Sequence, residues 1–381
     1  MTGGIRRGRR ALALVGLALL CGCAGHRVET RVDEPVEAQL VEVVRVSRQW
    51  TGLAIAPSGR MFVNFPRWTD NPWWAEQADQ FPSVAEVLPL WEMRPRGRVQ
   101  AFPDEFWNRW SPGDDPRNRF VCVQSVYTDA EGKLWILDAA NPRFAGVVAG
   151  GPKLVKVDPE SGAILQVFPF AAEAAPPTSY LNDVRVDTRR QVAYLSDSGA
   201  GALIVLDLRN GAARRLLEDH PSTHAEEISL IIEGRKWRLP DGSVPRVHAD
   251  GIALDPSGEY LYYQALTSRS LYRIATRWLL DESLAPAQLG EKVEFLGKTG
   301  AADGLLFGPD GRLYLTALEH NAIRAYTPGA GVVTVARGPE LAWPDSLAVG
   351  PDGAIYVSTS QIHRMPVPRE PYKIFRLEKK P

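Results

Sequence analysis

Six copies of one short pattern constrain this chain more than any other feature. They read TGLAIAPSGRMFVNFP from Thr51, QSVYTDAEGKLWILDA from Gln124, NDVRVDTRRQVAYLSD from Asn182, DGIALDPSGEYLYYQA from Asp250, DGLLFGPDGRLYLTAL from Asp303 and DSLAVGPDGAIYVSTS from Asp345. Each copy is a polar residue, an apolar strand, a turn and a second apolar strand. The starts lie about 40–75 residues apart, against about 40–50 for regular propeller units, so loops of unequal length are inserted on a regular core. A single repeat cannot bury its own apolar face, so six must stack around an axis. Closing the ring also protects the sheet edges. The expectation is an all-β, six-bladed β-propeller with loop insertions.

Gln39 to Trp50 carries the β-formers Leu40, Val41, Val43, Val44 and Val46 but belongs to no repeat. It is expected to complete the last blade and close the ring, giving a propeller over residues 39–381. Trp278-Leu279-Leu280 is read as an extension of the fourth blade. Residues 69–118 form a Trp- and Pro-rich insertion. Six of the eleven tryptophans lie between Trp68 and Trp110, and frequent prolines discourage long helices there. Two roles stand for it: an aromatic belt on the outside of the first two blades, or a lid over one channel mouth. A second insertion runs from Arg215 to Pro245, with a short polar hairpin around Leu239-Pro240-Asp241-Gly242.

The first residues read as an address. Arg6, Arg7, Arg9 and Arg10 precede an apolar run, Ala11 to Leu20, that is short for a membrane span. Leu20-Cys21-Gly22-Cys23 then resembles a bacterial lipoprotein signal. Cys23 is the expected lipidation site, because small Gly22 precedes it. That gives residues 1–22 as signal and 23–38 as tether, and places the chain in the cell envelope, exported and anchored at the outer membrane or periplasmic face. With Cys23 acylated, Cys122 remains in an apolar strand as an inert thiol. The formal net charge of −1 leaves no electrostatic footprint for nucleic acid. A monomer meeting a small molecule is the expected state.

The first residue of each inner strand should face the axis. These are Thr51, Gln124, Asn182 with Asp183, Asp250, Asp303 and Asp345. Four carboxylates converging in this way raise one another's pKa unless a cation compensates. Such an oxygen-rich ring suits Ca²⁺ or another hard divalent cation. The plain alternative is that these residues cap strand-end amides and stitch the blades together. His248, two residues before Asp250, and His320, after the fifth blade, are the candidate general bases. No nucleophile elbow, P-loop, dinucleotide fingerprint or zinc spacing is present.

Several strings, taken in order, resemble the major royal jelly protein and yellow family. They are Phe65-Pro66-Arg67-Trp68, Gly132 to Asp138, Pro152 to Asp158, Tyr194 to Ser198, Leu203 to Gly211 and Gly251 to Ile274. The resemblance implies a six-bladed propeller. Bacterial relatives are described as related to dopachrome-converting proteins. The fold is also similar to that of gluconolactonase-like proteins, whose metal is held by one Glu with Asn and Asp residues. Asn182, Asp250 and Asp303 match three such positions, while Thr51 stands where the Glu is expected. Two functions therefore stay open. One is an extracytoplasmic protein binding a small aromatic or amine ligand in its channel. The other is a metal-assisted lactonase or dopachrome-type isomerase using the same channel.

Overall fold

A computed structural model describes residues 1–2, 36–68, 82–88, 99–239, 241–365 and 369–380. Two units are distinguished, Met1–Glu34 and Pro35–Pro381. Cys21, Cys23 and most of the expected tether lie outside the described residues.

Pro35–Pro381 contains six four-stranded antiparallel sheets, the blades of an all-β propeller. Their inner strands are Leu53–Ile55, Val123–Thr128, Leu181–Asp187, Ala249–Leu254, Ala302–Phe307 and Pro344–Val349. The repeats and the inner strands coincide because every copy supplies an apolar alternation followed by a turn. In blades 1, 2, 4, 5 and 6 that turn is closed by a glycine with positive φ, among them Gly258 and Gly311, where a side chain would be strained. Seams, not sheets, hold the core. Each junction between neighbouring blades has its own apolar cluster. Trp135, Leu137 and Phe168 of blade 2, for example, pack on Val184, Leu195 and Ile204 of blade 3. Fully burying a side chain of this size stabilises by about 1.5–3 kcal/mol.

The ring closes as expected. Ala38–Val46 pairs antiparallel with Tyr372–Lys379, in register from Ala38 opposite Lys379 to Val46 opposite Tyr372. Trp50, fully buried, fastens the same join by donating its indole N–H to the Thr359 carbonyl at 3.1 Å.

Two local readings change. The Trp/Pro-rich stretch is not one long excursion, because it supplies the outer half of blade 1. Val84–Val87 pairs with Met61–Asn64, and Val99–Ala101 pairs with Val84–Val87. Trp107 of the same stretch packs on Phe120, just beyond it, at 5.1 Å in the seam between blades 1 and 2. Residues 69–81 and 89–98 lie outside the described residues, and the lid reading with them. In blade 4, Thr276–Leu280 is a single helical turn rather than a strand, and the fourth strand is Glu294–Lys298. The proposed polar turn is present, with Leu239 N–H bonded to the Ser243 carbonyl at 3.0 Å. A second hairpin nearby, Ile231–Ile232 with Arg235–Lys236, carries the packing.

Candidate functional site

Blades 2 to 6 each carry one extra residue at the start of the inner strand. The register slips between Val123 and Ser125, Leu181 and Val184, Ala249 and Ile252, Ala302 and Leu305, and Pro344 and Leu347. A bulge of this kind interrupts the ladder and re-aims side chains. The bulged residues are Gln124, Asn182, Asp183, Asp250, Asp303 and Asp345, the residues expected at the axis. Thr51 occupies the same place before blade 1.

In blades 1, 3 and 6 a second-strand side chain stitches the ring to the next blade. Asn64 accepts the Gly52 N–H at 2.9 Å and donates to the Val123 carbonyl of blade 2 at 3.0 Å. Ser196 accepts the Asp183 N–H at 3.1 Å and donates to the Asp250 carbonyl of blade 4. Ser358 accepts the Ser346 N–H at 3.1 Å and donates to the Thr51 carbonyl of blade 1 at 2.8 Å. At the seams of blades 4–5 and 5–6 the backbones touch directly. A Cβ on Gly251 would stand 2.1 Å from the Asp303 carbonyl oxygen, and one on Gly304 2.3 Å from that of Asp345. Only glycine fits at either place. The stitching residues recur in the sequence as a polar position near the end of the second strand, Asn64, Ser196 and Ser358; Thr316 holds that place in blade 5 but bonds only within its own blade. That repeat is visible without a structure, but it is weaker than the Asp-Gly signal beside it.

The axial side chains divide into two groups, and one side chain, Asp183, also caps the Val184 N–H at 2.9 Å. On the side of blades 2 and 3 they bond one another. Gln124 donates to the Asn182 side-chain oxygen at 3.2 Å and accepts from the Tyr180 hydroxyl at 3.0 Å. Asn182 donates to Ser198 at 2.9 Å. Asp183 accepts from Ser125 at 3.0 Å and pairs with Arg185 at 2.8 Å. Thr51 is spent on the Gln124 carbonyl at 3.1 Å and the Asn64 amide at 2.8 Å.

On the side of blades 4 to 6 stand Asp250, Asp303 and Asp345. Burial pushes Asp250 well above the usual carboxylate range, and the negative neighbours Asp303, Asp345 and Asp183 push it further. Burial also lifts Asp345 well above that range, with Asp303 adding to it and the Ser346 hydroxyl, 3.1 Å away, opposing it. Asp303 is pushed up to about 7 by burial, against the pull of the Trp343 indole, which donates to its Oδ2 at 2.6 Å. The hydrogen bond between Asp250 and Asp303 raises the first and lowers the second. No guanidinium or ammonium among the described residues is bonded to any of the three.

Trp343 was not legible as a site residue. It precedes a repeat without being part of one, and its backbone has a positive φ of 58°. Its ring lies edge-on to Trp237 at 4.8 Å and stacks on His363 at 5.8 Å. The unforeseen hairpin holds it there: Ile232 and Trp237 join Leu266, Leu318 and Trp343 in one apolar cluster. Glu319 ties that hairpin down, accepting the Ile231 N–H and a bidentate Arg269 at 2.7 Å. His248 lies at the rim. Its Nδ1 accepts the Ala225 N–H at 3.1 Å, its ring meets His224 at 4.8 Å, and burial lowers its pKa. His320 ends a short turn, Leu318–His320, and is part-exposed.

The donor set differs from the one that the gluconolactonase resemblance implies. The Asn182 oxygen is engaged by Gln124, Thr51 brings no carboxylate, and no group of three His, Cys, Asp or Glu among the described residues is arranged to hold a metal ion.

Comparison with known proteins agrees with this architecture. A family model described as "Major royal jelly protein" matches residues 121–374. "Major royal jelly protein 7" of Apis mellifera is 25% identical over 186 residues, which cover 47% of this chain and 40% of the relative. The chain thus spans about two fifths of the length of that curated relative. Among solved structures, a gluconolactonase from Xanthomonas campestris superposes with a TM-score of 0.53 at 12% identity, over 90% of both chains. A PQQ-bound aldose sugar dehydrogenase from Streptomyces coelicolor gives 0.50 at 11% identity, over 91% of this chain and 100% of the other. At such identities these structures show the fold alone.

Proposed function

Because this chain belongs to the major royal jelly protein family, we propose that it is an exported binding protein, whose channel takes a small amine, aromatic or otherwise, at Asp250, Asp303 and Asp345. One observation carries the reading: Asp250, Asp303 and Asp345 stand together uncompensated by any Lys or Arg bonded to them among the described residues, and burial raises all three above the usual carboxylate range. An entering ammonium supplies that compensation. It lowers the carboxyl pKa values, and a proton is displaced from the pair Asp250 and Asp303. Binding is then coupled to proton release and strengthens as pH rises through about 7, where Asp303 titrates. The lipoprotein-like signal supports attachment of a monomer to the cell envelope through Cys23, and Cys23→Ser is expected to free it from membranes.

Calorimetry with phenethylamine in two buffers of different ionisation enthalpy tests the channel reading. Release of a proton on binding to the wild type, lost in Asp250→Asn, is expected. Binding that is indifferent to buffer and to that substitution would remove the proposal. A second reading rests on the same pair: a protonated acid beside an ionisable one is the arrangement an isomerase uses to move a proton. Turnover of dopachrome, lost in the same variant, would favour it.

A further inference from the structure

Arg185 lies on the inner strand of blade 3 and is buried. One arm of its guanidinium pairs with Asp183 at 2.8 Å and bonds the Val184 carbonyl at 2.6 Å. The other crosses to blade 5 and donates to the Leu305 carbonyl at 2.8 Å. Its flat face lies 5.1 Å from the Tyr127 ring of blade 2. One side chain therefore joins three blades across the axis. Such a contact is expensive to hold by chance, because a buried guanidinium needs nearly all its donors satisfied.

On one side of this bar is the acid group already described. On the other, at the far ends of the inner strands, is a cavity of about 440 Å³. It is lined largely by apolar side chains, among them Leu53, Ile55, Tyr127, Leu306, Phe307 and Val349. Its size falls in the range of small-molecule sites. Two of its lining residues are the ones Arg185 touches or adjoins: Tyr127 lies under the guanidinium, and Leu306 follows the carbonyl that receives it. The Thr128 hydroxyl, also on the wall, is buried with no hydrogen-bond partner.

We propose that Arg185 is a specificity-determining residue: a bar across the channel that stops a ligand held at the acid group from extending an apolar tail into the cavity beyond. This rests on the amine reading for the location of the ligand, though not for the bar itself. Arg185 also pairs with Asp183, which leaves Asp250, Asp303 and Asp345 as the axial acids with no Lys or Arg bonded to them among the described residues. The wild-type protein then selects short ligands. Removal of the bar joins a polar and an apolar compartment into one site for long-chain amines.

The test is a series of straight-chain primary amines from butylamine to dodecylamine, measured by calorimetry on the wild type and on Arg185→Ala with Asp183→Asn. The second change keeps the charge balanced, and a cooperative melt confirms that the variant folds. Affinity in the wild type is expected to be flat with chain length. In the double variant each added methylene is expected to tighten binding about fourfold, the equivalent of about 0.8 kcal/mol per buried CH₂. A wild type that already gains with each methylene, or a variant that gains nothing, overturns the proposal. If no amine of any length binds the wild type, the amine reading is what fails. Crystal structures of the two proteins then decide on the bar. A continuous channel in the variant only, with Arg185 on the Leu305 carbonyl in the wild type, upholds it. A wild-type guanidinium turned away from Leu305 ends it.

Discussion

Two sets of aspartates, one in blades 2 and 3 and the other in blades 4 to 6, are opposites. Asp138 and Asp197, at the ends of second strands in blades 2 and 3, are fully buried. Asp138 accepts the N–H groups of Val121, Cys122 and Ala140 at 2.7–2.9 Å and the Lys153 ammonium at 2.7 Å. Asp197 accepts from Tyr180, Gly199 and Ala200 N–H groups, the Ser179 hydroxyl and Arg215. Asp250, Asp303 and Asp345 are placed just as deliberately but bond an indole, a hydroxyl and each other. Asp250 and Asp345 are buried like the first set and Asp303 is half-buried; a Lys or Arg partner belongs to the first set alone among the described residues. The first set holds loops in place. The second is raised above the usual carboxylate range, which is what the proposed binding of a cation would use.

The largest effect should come from breaking a compensated pair. Lys153→Met removes the only ammonium on Asp138 and leaves a charge in the core. Losing one partner of a buried pair costs about 3–5 kcal/mol. Denaturant unfolding should show such a loss for Lys153→Met. Asp345→Asn should show little loss, or a gain, because burial and the neighbouring Asp303 already disfavour the charged form of that carboxyl. Equal losses in both would mean that the two sets are energetically alike.

A second effect separates them by pH. Asp303 has its folded pKa raised to about 7 from a usual carboxylate value of 3.8, and Asp250 and Asp345 are raised as well. Between those values the folded state binds more protons than the unfolded state. Stability from this source is therefore complete at low pH and falls as pH rises through about 7. Melting temperature should decline over that interval in the wild type, and Asp303→Asn should flatten the decline. A profile unchanged by that substitution would place the proton elsewhere.

How much of this division was legible follows from periodicity. Thr51, Gln124, Asn182, Asp183, Asp250, Asp303 and Asp345 occupy equivalent places in six repeats, so rotation about an axis brings them together. What each residue does there was not legible, because the partners come from outside the pattern. Arg185 sits two residues past Asp183 in a strand that reads as ordinary alternation. Trp343 arrives from the loop before blade 6, and its position depends on a hairpin at Ile231–Lys236 that has too few residues to show a period. Blade 1 hid its outer strands for a related reason: Val84–Val87 and Val99–Ala101 are four and three residues long among prolines and tryptophans.

A middle-sized effect tests whether the stitching belongs to the hydroxyls rather than to the axial acids. Ser358→Ala leaves the Ser346 N–H and the Thr51 carbonyl without their shared partner at the seam that closes the ring. A loss of about 1–3 kcal/mol in denaturant unfolding is expected for stranding buried groups in this way. Asp345→Asn, one residue from Ser346, should cost less. The reverse order would return the stitching role to the carboxylates.

The smallest effect is the most specific. Trp343→Phe keeps an aromatic ring against Trp237 and His363 but removes the indole N–H from Asp303 Oδ2. That N–H favours the ionised form of Asp303, so its loss must move the titration of Asp303 upward from about 7. Apolar packing is largely retained, so the melting temperature at low pH, where Asp303 is protonated in either protein, should differ little. Carbon-13 NMR of the labelled carboxyls reads the midpoint directly and needs no ligand. An upward move would show that the hairpin, by holding Trp343, sets which acid of the pair carries the charge. A midpoint that stays in place would leave Trp343 a packing residue, and the contrast between the two sets of aspartates would then rest on burial and mutual repulsion alone.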